Sequence, residues 1–290
     1  MLVQEFSPFF NENLLARIKI AENSSWINFF HITESNRTHK YAPKDFVFNY
    51  ESYNVKYYKL NGKKLFSHDS YKLTRSKYLI KKSLTDAWQN DKIQREFAIN
   101  KFSPNDDDIL IFSDIDEIID SKFSSELLSL VNKHGCITIP LHYTLYFFNL
   151  FSANWYGPPN YSYRVFIMTG MYYKKHLDCG IDELRKRGER GDLENKIFCF
   201  SEFAGFHHSW LGDENSAIQK ILAYAHSLNE HDSQLFDLNG EPNLDKLKVF
   251  LRSGKSVYGE NHKLELKPGI ELLDQVKLIK LQGKHPDLFL

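Results

Sequence analysis

Residues 108–117 read Asp-Ile-Leu-Ile-Phe-Ser-Asp-Ile-Asp-Glu, an apolar run that leads into a cluster of carboxylates. Four consecutive apolar residues are typical of a strand that is buried on both faces of a parallel sheet. Asp114 and Asp116 follow that strand at positions i and i+2. Paired carboxylates with open coordination suit Mg²⁺ or Mn²⁺ that carries substrate phosphates. The segment therefore predicts a phosphate-handling metal site at a strand end, although a charged turn has the same pattern.

The patterns around this segment alternate between strand and helix. Strand patterns occupy residues 2–10, 26–32, 46–48, 109–112 and 137–140. One helical pattern starts near residue 12, a second runs from 83 or 85 to about 101, and a third spans 124–133. This alternation is typical of an α/β fold with a mostly parallel sheet. Ligands bind beyond the carboxyl ends of such strands. The polar clusters at 11–12, 33–35 and 113–117 each follow a strand pattern, so we expect them to converge on one crevice.

The second half of the chain is less regular. Aromatic strands are predicted within 143–151, and residues 178–195 indicate a mobile loop or a short helix that would serve as a lid. His207 and His208 follow a predicted strand, and a helix capped by Asp213 comes after them. The tail from residue 243 has two further helical patterns, which are broken at Gly254 and at Pro268-Gly269.

Composition excludes several classes of protein. The 37 basic residues equal the 37 acidic residues, so there is no overall positive charge to hold nucleic acid and no polybasic tail to hold a membrane. The first ten residues lack the basic region of a signal peptide. Three cysteines without zinc-site spacing fit a reducing compartment; they are Cys136, Cys179 and Cys199.

Residues 134–163 contain no charged side chain and so resemble a membrane span at first sight. Prolines and polar residues interrupt the stretch, and no apolar run of 18 residues remains. We interpret it as buried strands, and we expect a cytoplasmic protein with no transmembrane segment.

An alternative interpretation of the Asp-x-Asp segment remains open at this point. Phosphatases of the haloacid dehalogenase type also place Asp-x-Asp after a hydrophobic strand, with the first Asp as nucleophile. They normally have a small or hydroxyl residue soon after the second Asp, where this chain has Glu117 and Ile118. Their later Gly-Asp-x-x-x-Asp motif would start at Gly212, but its last position is Ala217.

Six groups of residues, in order along positions 9–230, resemble the motifs of one family. They are Phe9-Phe-Asn-Glu12 with Leu14-Leu15-x-Arg17; Thr33-Glu-Ser35 with Thr38-His39 and Pro43-Lys44; Trp88 with Gln94-Arg95-Glu96; Asp107-Asp108 through Ser113-Asp-x-Asp-Glu-Ile118; Gly205-Phe-His-x-Ser209; and Lys220 with Ala225-His226. This order resembles glycosyltransferase family 17, which includes β-1,4-mannosyl-glycoprotein β-1,4-N-acetylglucosaminyltransferase. The chain departs from the family pattern at Phe206, where the family has tryptophan, and at Ile119, where it has proline.

The resemblance implies a GT-A-type fold, with a Rossmann-like nucleotide-sugar-binding half at 1–133 fused to an acceptor-binding half at 134–235. A helical C-terminal extension would occupy 236–290. It also implies inverting transfer of a sugar, N-acetylglucosamine in the family, from a UDP-sugar to a hydroxyl of a glycan acceptor, with Mn²⁺ or Mg²⁺ as cofactor. The eukaryotic relatives carry a membrane anchor, and we identify none in this sequence, so we expect a soluble bacterial or viral relative. A sugar-binding protein that has lost catalysis is a further alternative to the transferase.

The resemblance also suggests roles for individual residues around the metal. Asp116 would bind the metal directly, and Asp114 would support the metal or the ribose. His207 would complete the coordination, because imidazole is a common ligand of Mn²⁺ beside carboxylates.

Further residues are candidates for the donor site and for the general base. Glu34 would accept a hydrogen bond from uracil or ribose, and Asn11 and Arg95 would contact the donor, with the Arg95 guanidinium paired to phosphate. Inversion needs a carboxylate that removes the proton from the acceptor hydroxyl. The candidates lie in the predicted lid or just before the histidines: Asp182 or Glu183, with Glu202 as a further possibility.

Overall fold

The structure is a computed structural model that describes residues 1–66, 77–153, 163–177, 179–193, 197–212, 216, 219–220, 223, 235, 243–259, 262–267 and 283–289. Strands and helices alternate through the first half, as predicted. The elements are β1 (Val3–Phe9), α1 (Asn13–Asn23), β2 (Phe29–Ser35), β3 (Val55–Leu60), α2 (Lys77–Glu96), β4 (Ile109–Phe112), β5 (Glu117–Ile119), α3 (Ser124–His134), β6 (Cys136–Pro140), β7 (His142–Leu145), β8 (Leu150–Ser152), β9 (Tyr163–Thr169), α4 (Gly170–His176), α5 (Ile181–Arg190), β10 (Phe198–Cys199), β11 (Gly205–Ser209), α6 (Leu244–Ser253) and β12 (Leu264–Leu266).

The larger sheet has seven strands in the order β10-β6-β9-β4-β1-β2-β3. Its neighbouring strands are parallel except at β9, which runs antiparallel to both β4 and β6. The predicted α/β fold with a mostly parallel sheet is confirmed, and it agrees with a GT-A-type architecture. The register pairs Phe6 with Phe112 and Phe9 with Glu34, so β1, β2 and β4 end at the same edge.

The smaller sheet has five strands in the order β12-β8-β7-β11-β5. Strand β11 lies between β7, to which it is parallel, and β5, to which it is antiparallel, with His207 opposite Glu117. Residues 113–116 therefore connect β4 of the large sheet to β5 of the small sheet. The Asp-x-Asp segment lies at the junction of the two sheets.

Strand β4 is the centre of the core because both of its faces are covered. Side chains alternate between the faces of a strand. Ile109 and Ile111 pack in one cluster with residues of α1 and α3, whereas Leu110 and Phe112 pack in another with residues of α5. This two-sided burial explains why β4 is a continuous apolar run rather than an alternating one.

Three expectations about the first half need correction. Strand β2 starts at Phe29 and includes residues 33–35, which were expected to follow it. Residues 46–48 form no strand, because the backbone N–H groups of Val47 and Phe48 donate to the Glu34 carboxylate instead of to a neighbouring strand. Helix α2 begins at Lys77, ahead of the predicted caps at 83 or 85, and ends at Glu96.

In the second half, residues 178–195 contain helix α5, so the helical alternative is the one observed. Ile181 and Leu184 of α5 are buried in the core. His207 and His208 lie within β11 rather than after it. Most of the helix expected after Asp213, and the second helical pattern of the tail, lie outside the described residues.

The described part of the C-terminal tail joins the small sheet. Strand β12 pairs with β8, and Leu247 and Phe250 of α6 pack in a cluster with Tyr143 of β7. Gly254 ends α6 in a left-handed conformation, with φ of 65°. The large sheet also includes three strands that lie beyond residue 133, namely β6, β9 and β10. The boundary predicted at residue 133 therefore does not coincide with the division between the two sheets.

Residues 136–152 of the stretch without charges form strands β6 to β8, which are largely buried, as predicted. Within the described ranges, no helix combines the length and the apolar character needed to cross a membrane. The three cysteines are unpaired.

Candidate active site

A cleft opens where β1 and β4 end. Its apolar wall comes from the end of β1, with Phe9 and Phe10, and from Ile115 between the two aspartates. Its polar wall comes from Glu12, Asp116 and Lys220, together with side chains of α2. The enclosed part is only about 60 Å³, and the cleft opens to solvent. This is the crevice that the sequence predicts beyond the carboxyl ends of the strands.

Asp116 lies in this cleft between two basic side chains. Its Oδ2 is 3.1 Å from Lys220 Nζ, and its Oδ1 is 3.6 Å from His207 Nε2. Burial opposes ionisation, but Lys220 and then His207 outweigh it and hold the pKa of Asp116 well below 3.8. Asp116 is therefore an ionised, largely buried carboxylate at the cleft.

The two adjacent histidines differ in direction because they alternate along β11. His208 donates its backbone N–H to the Asp116 carbonyl at 2.8 Å, which fixes the second aspartate against the small sheet. Its imidazole hydrogen-bonds Thr144 at 2.7 Å, and burial followed by the charge of His207 lowers its pKa to about 3. His208 is a neutral core residue, and only His207 faces Asp116.

Asp114 has both carboxylate oxygens held by arginines. Arg95 of α2 binds Oδ1, and Arg185 of α5 binds Oδ2 at 2.7 Å. Burial alone would raise the pKa of Asp114, but Arg185 and Arg95 hold it far below 3.8. The backbone N–H of Asp114 donates to Glu117 Oε2 at 2.7 Å. Asp114 is thus fixed from three sides.

Arg95 joins three carboxylates. Besides Asp114 it binds Asp91 at 3.0 Å, and its Nε lies 3.7 Å from Asp182 Oδ1. These charges overcome burial and raise the pKa of Arg95 well above its usual value. The preceding Gln94 donates to the carbonyls of Phe9 and Thr33, which seats α2 on the ends of β1 and β2.

Arg185 is a site residue that sequence reasoning missed. Its guanidinium binds both oxygens of Glu117 at 2.9 Å and the carbonyl of Arg164 at 2.6 Å. The sequence signal that could have identified Arg185 is its spacing. The buried face of α5 carries residues at i, i+3, i+4 and i+7, which are Ile181, Leu184, Arg185 and Gly188.

Lys19 of α1 was also missed. Its side chain is fully buried, and its Nζ lies 2.8 Å from Glu5 Oε1 and 2.6 Å from Ser113 Oγ. The same Nζ donates to the carbonyls of Asp114 at 2.7 Å and Glu117 at 2.8 Å. Lys19 therefore holds the backbone of the Asp-x-Asp segment, and not the carboxylates of Asp114 and Asp116.

A second cavity, of about 260 Å³, adjoins the cleft, because Arg95 and Asp114 line both spaces. Helix α2 contributes Trp88 to its lining, and α5 contributes Asp182 and Lys186. The two cavities together flank the first aspartate of the Asp-x-Asp segment.

The three candidates for the general base have different surroundings in the structure. Asp182 lines the second cavity, with Oδ2 2.7 Å from Lys186 Nζ. Glu183 pairs with Arg187 and Arg190 on the outer side of α5, and Glu202 is exposed. Of the three, Asp182 alone lines a cavity within the described part of the chain.

Two predicted donor-site residues have partners within the chain. The Glu34 oxygens accept hydrogen bonds from Lys44, Tyr57 and two backbone N–H groups. The Asn11 side chain donates to Gln219 at 2.9 Å. Neither residue is among the described residues that line the two cavities, and their contact with a donor stays a prediction.

The donor set fits a metal that is shared with a substrate. Among the described residues there is no group of three or more His, Cys, Asp or Glu side chains that would hold an ion. Since the arginines occupy Asp114, the remaining protein donors are Asp116 and His207. Mg²⁺ is usually bound by one or two carboxylates together with substrate phosphates. Asp116 in the lining of an open cleft, with His207 Nε2 3.6 Å from its Oδ1, meets that description.

The chain is similar to known proteins at the level of a family and of one solved structure. The model of glycosyltransferase family 17 matches residues 6–176, a range that includes Arg95, Asp114 and Asp116. No curated protein matches. Among solved structures, the crystal structure of S. aureus TarS 1-349 matches with 13% identity and a TM-score of 0.36, over 70% of this chain and 59% of that one. The chain thus spans less than two thirds of that structure.

Proposed function

Because the chain belongs to glycosyltransferase family 17, we propose that it transfers a sugar from a nucleotide-sugar to a hydroxyl group of an acceptor. The finer proposal is a UDP-sugar donor, with N-acetylglucosamine as the sugar, a glycan acceptor and inversion at the anomeric carbon. The observation that carries it is the ionised Asp116, placed between His207 and Lys220 in a cleft where β1 and β4 end.

The cleft has the two kinds of wall that a nucleotide requires. Phe10, which is half-buried, offers apolar surface to a base or ribose, and Lys220 offers an ammonium group to a diphosphate. The enclosed volume of about 60 Å³ would seat only part of a nucleotide, so the rest would extend into the open mouth. In open α/β sheets this edge is where nucleotides bind.

The chemistry is a single in-line displacement at the anomeric carbon. Mn²⁺ or Mg²⁺ held by Asp116 and His207 would supply positive charge to the diphosphate leaving group. Lys220, 3.1 Å from Asp116, adds a second positive charge at the same place. Asp182 is the carboxylate best placed to take the acceptor proton, since it lines the adjoining cavity.

The arrangement favours this function over the phosphatase alternative. A haloacid-dehalogenase-type phosphatase needs the first aspartate as a nucleophile, but both oxygens of Asp114 are held by Arg95 and Arg185. A sugar-binding protein without catalysis would bind glycan and release no UDP, so turnover separates it from a transferase.

The test is thermal unfolding of the purified protein against a panel of nucleotides, with and without Mn²⁺. A ligand at 100 times its Kd stabilises a protein by about 2.7 kcal/mol, and each kcal/mol raises the Tm of a chain of this size by roughly 2–4 °C. We expect a shift with UDP that needs Mn²⁺ and is lost in Asp116→Asn. Asp106→Asn is the matched control, because Asp106 is 70% exposed and pairs only at the surface with Lys174. Absence of a shift with every nucleotide would contradict the proposal.

A further inference from the structure

The second cavity is large enough for a sugar ring. A bound water needs roughly 10–15 Å³ of such space, so about 260 Å³ exceeds what a few ordered waters would fill. Arg95 and Asp114 line both this cavity and the cleft of Asp116. A sugar attached to a diphosphate at Asp116 would therefore have this cavity as its nearest enclosed space.

The charges that line the cavity balance in pairs. Among the described lining residues there are four acidic and four basic side chains. Each basic group has an acidic partner in the same lining: Arg95 with Asp91 at 3.0 Å, Arg185 with Asp114 at 2.7 Å, Lys186 with Asp182 at 2.7 Å, and Arg164 with Glu189 at 3.2 Å. An anionic ligand would have to displace one of these carboxylates, whereas hydroxyl groups can hydrogen-bond to paired charges.

Trp88 gives the cavity an apolar wall. The indole is half-buried on α2, and the Lys186 ammonium lies 5.7 Å from its ring centroid. Indole combines a large apolar face with a polar edge, and the face of a pyranose ring that carries axial C–H groups is apolar as well. Polar groups around an aromatic face are the chemistry that an uncharged sugar requires.

We propose that this cavity is the subsite for the pyranose ring of the donor, that it selects an uncharged sugar, and that Trp88 packs against that ring. The proposal rests on the proposed function, since it assumes that a nucleotide diphosphate binds at Asp116. Arg95 and Asp114 are then the groups to which the hydroxyls of the donor sugar hydrogen-bond.

The experiment is calorimetric titration with UDP, UDP-N-acetylglucosamine and UDP-glucuronic acid, in the presence of Mn²⁺. The wild-type protein is expected to bind UDP-N-acetylglucosamine roughly fivefold or more tightly than UDP, and to bind UDP-glucuronic acid no more tightly than UDP. Trp88→Ala is expected to remove the gain from the sugar and to leave the Kd of UDP unchanged. Trp88→Phe, which keeps a ring, should retain part of the gain and guards against misfolding of the alanine variant. Tyr53→Ala removes an aromatic ring that is 88% exposed and should change none of the three affinities.

The outcomes separate the two proposals. Tighter binding of UDP-glucuronic acid than of UDP-N-acetylglucosamine would overturn the uncharged subsite, and so would a Trp88→Ala variant that loses affinity for UDP and UDP-N-acetylglucosamine equally. If the wild-type protein binds none of the three ligands, the nucleotide site itself is refuted and the subsite with it.

Discussion

The guanidinium of Arg185 binds both carboxylate oxygens of Glu117, with two contacts of 2.9 Å each. Glu117 is fully buried, and the same guanidinium reaches Asp114 at 2.7 Å. Helix α5 is therefore tied to the Asp-x-Asp segment by largely buried ion pairs. Opening α5 as a lid would leave the buried carboxylate of Glu117 without its cation, which is costly. We infer that α5 is a fixed wall of the site.

Arg185→Met is expected to lower the free energy of unfolding by about 3–5 kcal/mol, because it leaves the buried carboxylate of Glu117 without its cation. Arg185→Lys should recover only part of this loss, since an ammonium cannot bind both oxygens as a planar guanidinium does. Urea denaturation measures both changes. The control is Arg187→Met on the same helix, whose ion pair with Glu183 is partly exposed and should contribute less than about 1 kcal/mol. Equal stability of the Arg185→Met and Arg187→Met variants would contradict the prediction.

The buried pair of Lys19 and Glu5 allows stability to be separated from function. Lys19→Met alone should cost about 3–5 kcal/mol, because Glu5 then stays buried without its cation. Adding Glu5→Met should restore much of that stability, since apolar replacement of a whole buried pair is often close to neutral. Urea unfolding of both single variants and the double variant measures the coupling.

The affinity for nucleotide should not recover together with the stability of the double variant. In the double variant the carbonyls of Asp114 and Glu117 still lack the donor that Lys19 provides. We therefore expect a double variant that is stable but binds UDP more weakly than the wild-type protein. Wild-type affinity in a stable double variant would show that Lys19 only supports the fold.

The sequence predicted the parts of the site that a short segment determines. The apolar run before Asp114 identifies β4, and the spacing of Asp114 and Asp116 identifies the strand end. Arg185 and Lys19 were missed because their partners, Glu117 among them, are 68 and 98 residues away, and charged residues are usually assigned to solvent. The false strand at 46–48 has a similar cause, because the N–H groups of this apolar segment bind the side chain of Glu34.

Gly188 is expected to resist replacement although it lies inside a helix. An added Cβ would come within 2.0 Å of the Tyr163 carbonyl and 2.9 Å of Phe166 Cζ, where α5 meets β9. Alanine favours a helix by about 1 kcal/mol over glycine, but overpacking of this kind typically costs about 1–3 kcal/mol. We expect Gly188→Ala to be destabilising in urea denaturation. Gly283→Ala, with nothing within 4 Å of its added Cβ, should not be; a stabilised Gly188→Ala variant would show that α5 can move away from β9.

Acid should destabilise the protein before its carboxylates are protonated, and His31 is one cause. Its ring nitrogens lie 2.9 Å from Gln4 Oε1 and 2.9 Å from Tyr58 Oη, and burial followed by the charge of Lys56 lowers its pKa from 6.5 to about 4. Because the pKa is lower in the folded state, the unfolded chain binds the proton more readily between about pH 6.5 and 4. The stability that the neutral ring provides is complete above pH 6.5 and is lost as the pH falls through this window, to a total of about 3 kcal/mol.

Urea unfolding of the wild-type protein and of His31→Gln at several values between pH 7.5 and 4.5 tests this contribution. Over this pH range the free energy of unfolding should fall less steeply in the variant, because it lacks the one proton that His31 takes up on unfolding. Some dependence on pH should remain in the variant, because burial also lowers the pKa values of His142 and His262 to about 4. Identical slopes for the two proteins would mean that His31 keeps an ordinary pKa in the folded state.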